Sequence, residues 1–348
     1  MIGGLTILWM LGAGFPTAPP REPELKRFQF DRVEMAVPFQ LVLYAPDSAT
    51  ANESAEAAFA RIRQLNGIFS DYDPESETRR LCDTAGEGKS VPVSAELWDV
   101  LRRAREISSR SGGAFDVTVG PIVLLWRRAR RQRELPDPAK LAQARQLVGY
   151  ELVRLDPQRR AVELTKRGMR LDFGGIAKGY AVDQAMAVLR QRGVTRAMVH
   201  AGGDIGLGEP PPDAPGWRVA IPSLDINRPP QTILSLSRCA VATSGDTWQF
   251  VVIDGRRYSH VVDPRTGIGL TDHCQVTVVV PGGASADGLA TAVSVLGPEK
   301  GLRLIEETPR AAAMVLRAPQ GKTEVFQSSR WKELRVVPAR DDWVGKRD

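Results

Sequence analysis

The chain has 348 residues, 43% hydrophobic and 25% charged, with a net charge of +6. That composition excludes wholesale disorder and fits one large domain or two tightly joined ones. The positive balance favours anionic partners, but with no zinc-finger spacing or aromatic RNA-binding signature nucleic acid is not expected among them.

Ile2 to Phe15 is apolar and short, and Thr17 to Pro20 is small and proline-rich. This resembles the core and processing zone of a signal peptide, although no Lys or Arg precedes it. It is too short for a comfortable membrane span, and no Cys follows it that would serve as a lipid anchor. Export to the periplasm or the outer face of the inner membrane is the expectation; a cytoplasmic location follows if the segment is not a signal. Residues from about 16 to 30 read as a linker.

Met35 to Tyr44 then reads as a strand, and Ser54 to Ile68 has helical apolar spacing. Ser94 caps a second expected helix that runs to Ser109 and stops at Gly112-Gly113. Pro121 to Arg131 is a short helix with a basic end. Its arginines, like the Arg102-Arg103 and Arg159-Arg160 pairs, read as a solvated face. Asp137-Pro138 opens another helix, which Gly149 stops. Glu151 to Asp156 and Ala161 to Thr165 form a hairpin.

Lys178 to Arg192 is helical and Arg196 to Ala201 is a strand that enters Gly202-Gly203. Gln249 to Ile253 and Arg256 to Val262 flank Asp254-Gly255, a strong two-residue hairpin signal. His273 to Val280 is a buried strand, Ser285 to Leu296 a helix ending at Gly297, and a helix near Leu302 and strands near Met314 and Val325 close the chain. Helices mixed with hairpins give an α+β fold class. The cysteines Cys82, Cys239 and Cys274 show no CxxC spacing, which argues against zinc and a thioredoxin motif.

Four stretches carry chemistry-bearing residues. In Leu171–Asp183, Asp172 stands at an expected strand end, two glycines let a ligand approach the backbone, and Lys178 begins a helix whose amides can face an anion. The spacing is neither GxGxxG nor a P-loop; a plain strand–turn–helix corner is the alternative. In Ala286–Val293, Asp287 and Thr291 are four apart and share a helix face. Both are hard oxygen ligands suited to magnesium, or else Asp287 only complements the helix dipole. In Thr243–Gly267, His260 near a strand end is a candidate general base, or a structural histidine, and Asp263–Gly267 is a turn. Gly112–Pro121 is a helix stop followed by a strand, with Asp116 and Thr118 leaving it.

In this order the motifs resemble the ApbE family of FAD:protein FMN transferases. The resemblance rests on Met35, Phe69–Pro74 with Ser76-Glu77, Gly112–Pro121, Leu171–Asp183, His200–Ile205, Ala242–Asp246, Tyr258–Gly267 and Ala286–Thr291, and spans roughly Val33 to Leu316. It implies an ApbE-type α+β domain over residues 31–330 with a T-fold-like core and mixed or antiparallel sheets, after a signal segment and linker (1–30) and before a tail (331–348). It implies FAD binding by Met35, Tyr72, Ala114, Phe115, Asp116, Asp172, Lys178 and Val262. Magnesium would be held by Asp287, Thr291 and backbone near Gly175, and His260 would assist the transfer, with Asp246 as the fallback base. The implied reaction moves FMN from FAD to a threonine of an acceptor flavoprotein subunit of a membrane redox complex and releases AMP. An FAD pyrophosphatase, or a flavin-binding protein without catalysis, are the competing readings. Three positions depart from the family pattern: Ala36-Val37 follow Met35, Cys82 stands where an Asn is common, and Ala290 stands where some members carry a second acidic residue.

Overall fold

The computed structural model describes residues 24–225, 228–230, 232–247, 249–319 and 321–338. The apolar segment Ile2–Phe15 and most of the tail lie outside the described residues. Eight antiparallel strands form the main sheet: β1 (Lys26–Glu34), β2 (Val37–Ala45), β3 (Ala197–Ala201), β4 (Asp204–Leu207), β5 (Cys239–Gly245), β6 (Cys274–Val280), β7 (Ala312–Arg317) and β8 (Glu324–Gln327). Their order in space is their order in the chain, so the sheet is a meander and every long insertion leaves and re-enters between neighbours.

The insertion between β2 and β3 carries α1 (Ser48–Phe69), α2 (Glu77–Asp83), α3 (Ala95–Arg110), α4 (Gly120–Gln132), α5 (Pro138–Arg145) and α6 (Ala177–Gln191). The β6–β7 connection is α7 (Gly283–Glu306), which kinks at Gly297 before Pro298. Helices α1, α6 and α7 cover one face of the sheet, with Phe39, Leu41, Val199, Ala201, Val276 and Val278 buried beneath them. The alternate strand residues, among them Val42, Leu207, Val241 and Val279, face the other way. They pack on a three-stranded sheet of Trp217–Ile221, Thr232–Leu236 and Val336–Val337. The period-two split of side chains between two cores is what an antiparallel sheet buried on both faces requires.

Three expectations need correction. Residues 26–30 are not linker, because they lie in β1 and pair with Leu41 to Ala45. The body does not end at residue 330: Trp331 is buried in the second core and Val336–Val337 pair with Leu234 and Ile233. Neither Val117–Val119 nor Asp172 lies in a strand. The first is a 3-10 turn capped by Asp116, and Asp172 sits in irregular chain whose N–H donates to Val117 O. A long-range bond stands where strands were expected.

The crossing of α6 and α7 positions everything that follows. A Cβ on Gly179 would lie 2.1 Å from Gly283 O, and one on Gly283 would lie 2.4 Å from Gly179 O. Only glycine at both places lets the helix starts touch backbone to backbone. Asp183, one turn further along α6, accepts from the N–H groups of Gly283 (2.6 Å) and Ala284 (3.0 Å), and so caps α7 from a neighbouring helix. Gly179→Ala is therefore expected to destabilise the fold by about 3 kcal/mol and lower the melting temperature by roughly 5 °C, read by thermal unfolding. A melting curve that overlays the wild type contradicts the close crossing.

Candidate active site

The helix crossing brings Lys178, in the first turn of α6, against α7. Lys178 Nζ lies 3.1 Å from Asp287 Oδ2 and 3.1 Å from Asp204 Oδ2, and donates to Gly174 O at 3.1 Å. Both carboxylates are buried, Asp204 at 3% and Asp287 at 5% exposure. Burial opposes the ammonium, yet the charges of Asp204 and Asp287 outweigh it and hold Lys178 above its ordinary value. Burial, and after it the Asp287 charge, push Asp204 upward. With both carboxylates ionised, the single ammonium leaves the cluster one negative charge in excess. Asp204 Oδ2 sits at ion-pair distance but outside hydrogen-bond geometry, an orphaned buried oxygen. Such a cluster accepts a further cation.

Thr291 lies one turn beyond Asp287 on α7. A Cβ on Gly175 would meet Thr291 Oγ1 at 3.0 Å and Phe115 Cε2 at 3.3 Å, so the backbone of Gly175 closes on that hydroxyl with Phe115 behind it. Asp287, Thr291 and Gly175 are thus gathered where α6 begins against α7. No group of three His, Cys, Asp or Glu side chains fit to hold a metal occurs among the described residues. A cation here would take one carboxylate, a hydroxyl and backbone, with the rest of its shell from phosphate or water, which is magnesium's habit.

Asp172 anchors the second part. Its Oδ1 accepts from Gly174 N at 2.8 Å, and its Oδ2 accepts from Arg127 Nη2 at 3.1 Å. Burial, then the Asp71 charge, raise it, against the pull of Gly174, Arg127 and Lys178. Arg127 also pairs with Asp71, and its guanidinium lies 4.2 Å from the ring centre of Tyr72, which is 75% exposed. Arg127 was missed in the sequence because it sits in a basic run that reads as solvated. Its place beside the buried Trp126 on α4 was the available signal. Asp204 was missed because its partner becomes visible only once β4 lies beside α6.

His260 ends the hairpin Phe250–Ile253 and Arg256–Ser259, whose tip is Asp254 (φ 49) and Gly255 (φ 75). The left-handed pair is what a two-residue turn with strand-matched twist needs. Main-chain N–H and Nδ1 of His260 both approach Gln249 O, at 3.0 and 3.1 Å. A carbonyl can only accept, so Nδ1 carries the proton and Nε2 keeps its lone pair. Burial lowers the imidazole pKa, and the charges of Arg130 and Lys178 lower it further. Asp246 is different. Its carboxylate accepts from Arg257 Nε, from His273 Nδ1 at 2.8 Å and from Cys274 N at 3.1 Å, which ties down the loop and leaves it poorly placed as a base.

Of the other expected residues, Phe115 is the one that stands behind Thr291 and Gly175. Asp116 Oδ1 is used by Thr118 N and Thr118 Oγ1, and Ala114 and Phe115 are buried. Val262 packs with Trp126 in a small core, and Trp126 Nε1 donates to Gly267 O, which binds the Asp263–Gly267 turn to α4. Met35 forms the left-handed tip of the β1–β2 hairpin, two residues from the Val37 side chain that abuts Gly202. A separate cavity of about 1010 Å³ is lined by Thr271, Cys274, Ser294 and Arg317, and none of the expected site residues reaches it.

The ApbE family profile matches residues 35–315. The chain belongs to the ApbE family. It is 31% identical over 294 residues to the FAD:protein FMN transferase of Haemophilus influenzae, covering 82% of this chain and 85% of that protein. The flavin transferase ApbE of Vibrio cholerae superposes with a TM-score of 0.81 at 28% identity, covering 89% of this chain and all of the other. The apo flavinyl transferase ApbE of Pseudomonas stutzeri does so with 0.79 at 30% identity, over 89% and 97%. By that membership this ApbE chain is a transferase, and its α+β class is as expected.

Proposed function

We propose that this ApbE-family enzyme transfers FMN from FAD to a threonine hydroxyl of an acceptor protein, with magnesium bound, and releases AMP. The observation that carries the reading is the hydroxyl of Thr291, one turn from Asp287 and pressed on Gly175, beside a buried cluster in which two carboxylates face one ammonium. The donors present fit a hard divalent cation. Magnesium bound at Asp287, Thr291 and the Gly175 backbone would neutralise charge on the diphosphate.

The rest follows from the chain's own groups. Amides at the start of α6 and the Lys178 ammonium face the phosphates. Asp172, held by Arg127 and Gly174 N–H, is a fixed acceptor for a donor group of the flavin nucleotide. His260 Nε2 takes the proton of the threonine hydroxyl as its oxygen attacks the flavin-side phosphorus. A bond forms from threonine oxygen to that phosphorus, the diphosphate bridge breaks, and AMP leaves carrying the bridging oxygen and its electron pair. The apolar N-terminal segment motivates placing the reaction outside the cytoplasm, and an acceptor subunit of a membrane redox complex fits that location.

Because the base must be neutral, transfer is full above the His260 pKa and lost as pH falls through it. Burial sets that acid limb below the ordinary 6.5, and a limb above 6.5 in a pH–rate profile contradicts His260 as the base. Incubation with FAD, magnesium and a threonine-bearing protein, followed by mass measurement of that protein, tests the whole reading. An FMN adduct supports transfer. Free FMN and AMP alone point to hydrolysis, and unaltered FAD to binding without catalysis.

A further inference from the structure

The hairpin that carries His260 has an unused side. Among the described residues, Phe250–Ile253 pairs only with Arg256–Ser259. The His260 N–H to Gln249 O bond marks those two residues as a hydrogen-bonded pair. In an antiparallel ladder the bonded pairs alternate, so Val251 with Tyr258 and Ile253 with Arg256 are the next ones. Phe250 and Val252 therefore turn their N–H and C=O groups outward, and no hydrogen bond to these outward groups occurs among the described residues. Their side chains are also exposed, at 42% and 50%, while Val251 and Ile253 are buried against Trp126 and Ala129 of α4. An open, apolar edge strand is a template for another chain, and folds that do not use one cover or charge it.

The surroundings select the kind of chain. Arg130 on α4 acts electrostatically on His260 and has no carboxylate partner among the described residues. Arg256 has none either; it donates to Thr271 Oγ1. Arg257 lies over the Phe250 ring, 3.3 Å from its centre, and its own charge is already paired with Asp246. The edge thus offers strand pairing and two apolar side chains, on a hairpin that carries the uncompensated charge of Arg256 beside its tip.

We infer that Phe250–Ile253 is the docking edge for the acceptor: an extended, acidic segment of the acceptor protein adds to it as a third strand. This rests on the transfer reading above and identifies where its partner binds. Strands pair about 4.8 Å apart, so an added strand runs roughly 10 Å from the His260 backbone, a span that an imidazole and a threonine side chain can close. Main-chain bonds supply affinity without demanding one sequence, and alternate side chains and charge supply selection.

The test uses the full-length enzyme with FAD, magnesium and short synthetic peptides bearing one central threonine, one set with aspartate flanks and one with lysine flanks. Wild-type enzyme is expected to flavinylate the aspartate set faster, and the Phe250 and Val252 amides to become protected from hydrogen exchange when that set is added. Val252→Pro removes an outward N–H without touching a ladder bond. It is expected to slow transfer about tenfold, with FAD affinity and the splitting of FAD by water unchanged, whereas Val252→Ala, which keeps the N–H, transfers well above Val252→Pro. Transfer by Val252→Pro at the wild-type rate, or amides that stay unprotected in wild type, overturns the docking edge alone. A wild type that splits FAD but modifies neither set overturns the transfer reading itself.

Discussion

His260→Ala lowers the rate of FMN transfer by about 10²- to 10⁴-fold, the span a positioned general base contributes, and leaves FAD affinity within a few-fold of wild type. The separation follows from placement. His260 is held by Gln249 O through its main-chain N–H and Nδ1, which leaves Nε2 as the ring nitrogen outside that contact. Asp172, Arg127 and Lys178, the groups proposed to meet the nucleotide, lie on other elements and keep their own bonds. Single-turnover transfer and equilibrium FAD titration on the same preparation check both halves. Loss of FAD binding in step with the rate would make His260 a binding residue instead.

Asp287→Ala is expected to remove about 10³-fold or more of the transfer rate, the order seen when a preorganised electrostatic contact to the reacting group is lost. Magnesium dependence should vanish with it. The fold should survive, because the change leaves Lys178 facing Asp204 alone, a balanced ion pair in place of a cluster with excess negative charge. Thermal unfolding near the wild-type temperature, with no calorimetric magnesium binding in the presence of FAD, is the expected pattern. A variant that still binds magnesium as tightly as wild type would move the cation away from α7. Lys178→Ala makes the contrasting case: two buried carboxylates then face each other without a cation, a far more costly arrangement.

Much of this site was legible where the required geometry is local. The glycines and Lys178 of Leu171–Asp183 announced a turn into a helix start, and Asp287 with Thr291 announced one helix face. Asp254-Gly255 announced the hairpin that presents His260. What stayed hidden depends on distant pairing. Asp204 is an ordinary strand residue until β4 lies beside α6. Asp183 looks like the end of a motif until its carboxylate caps α7, a hundred residues later. Arg127 looked like one of several solvated arginines because charge runs usually are. It is the one that folds back onto Asp71, Asp172 and Tyr72. β1 was hidden by the proline-rich stretch before it, and its register comes from β2.

A crystal structure of the enzyme with FAD and manganese, read by the anomalous signal of the metal, tests the central claim most directly. The account predicts one peak about 2 Å from Asp287 Oδ2 and Thr291 Oγ1, against the diphosphate, with Lys178 held by Asp204 and Asp172 on the flavin nucleotide. A metal bound elsewhere, or Asp287 still bonded to Lys178 with FAD in place, would contradict it.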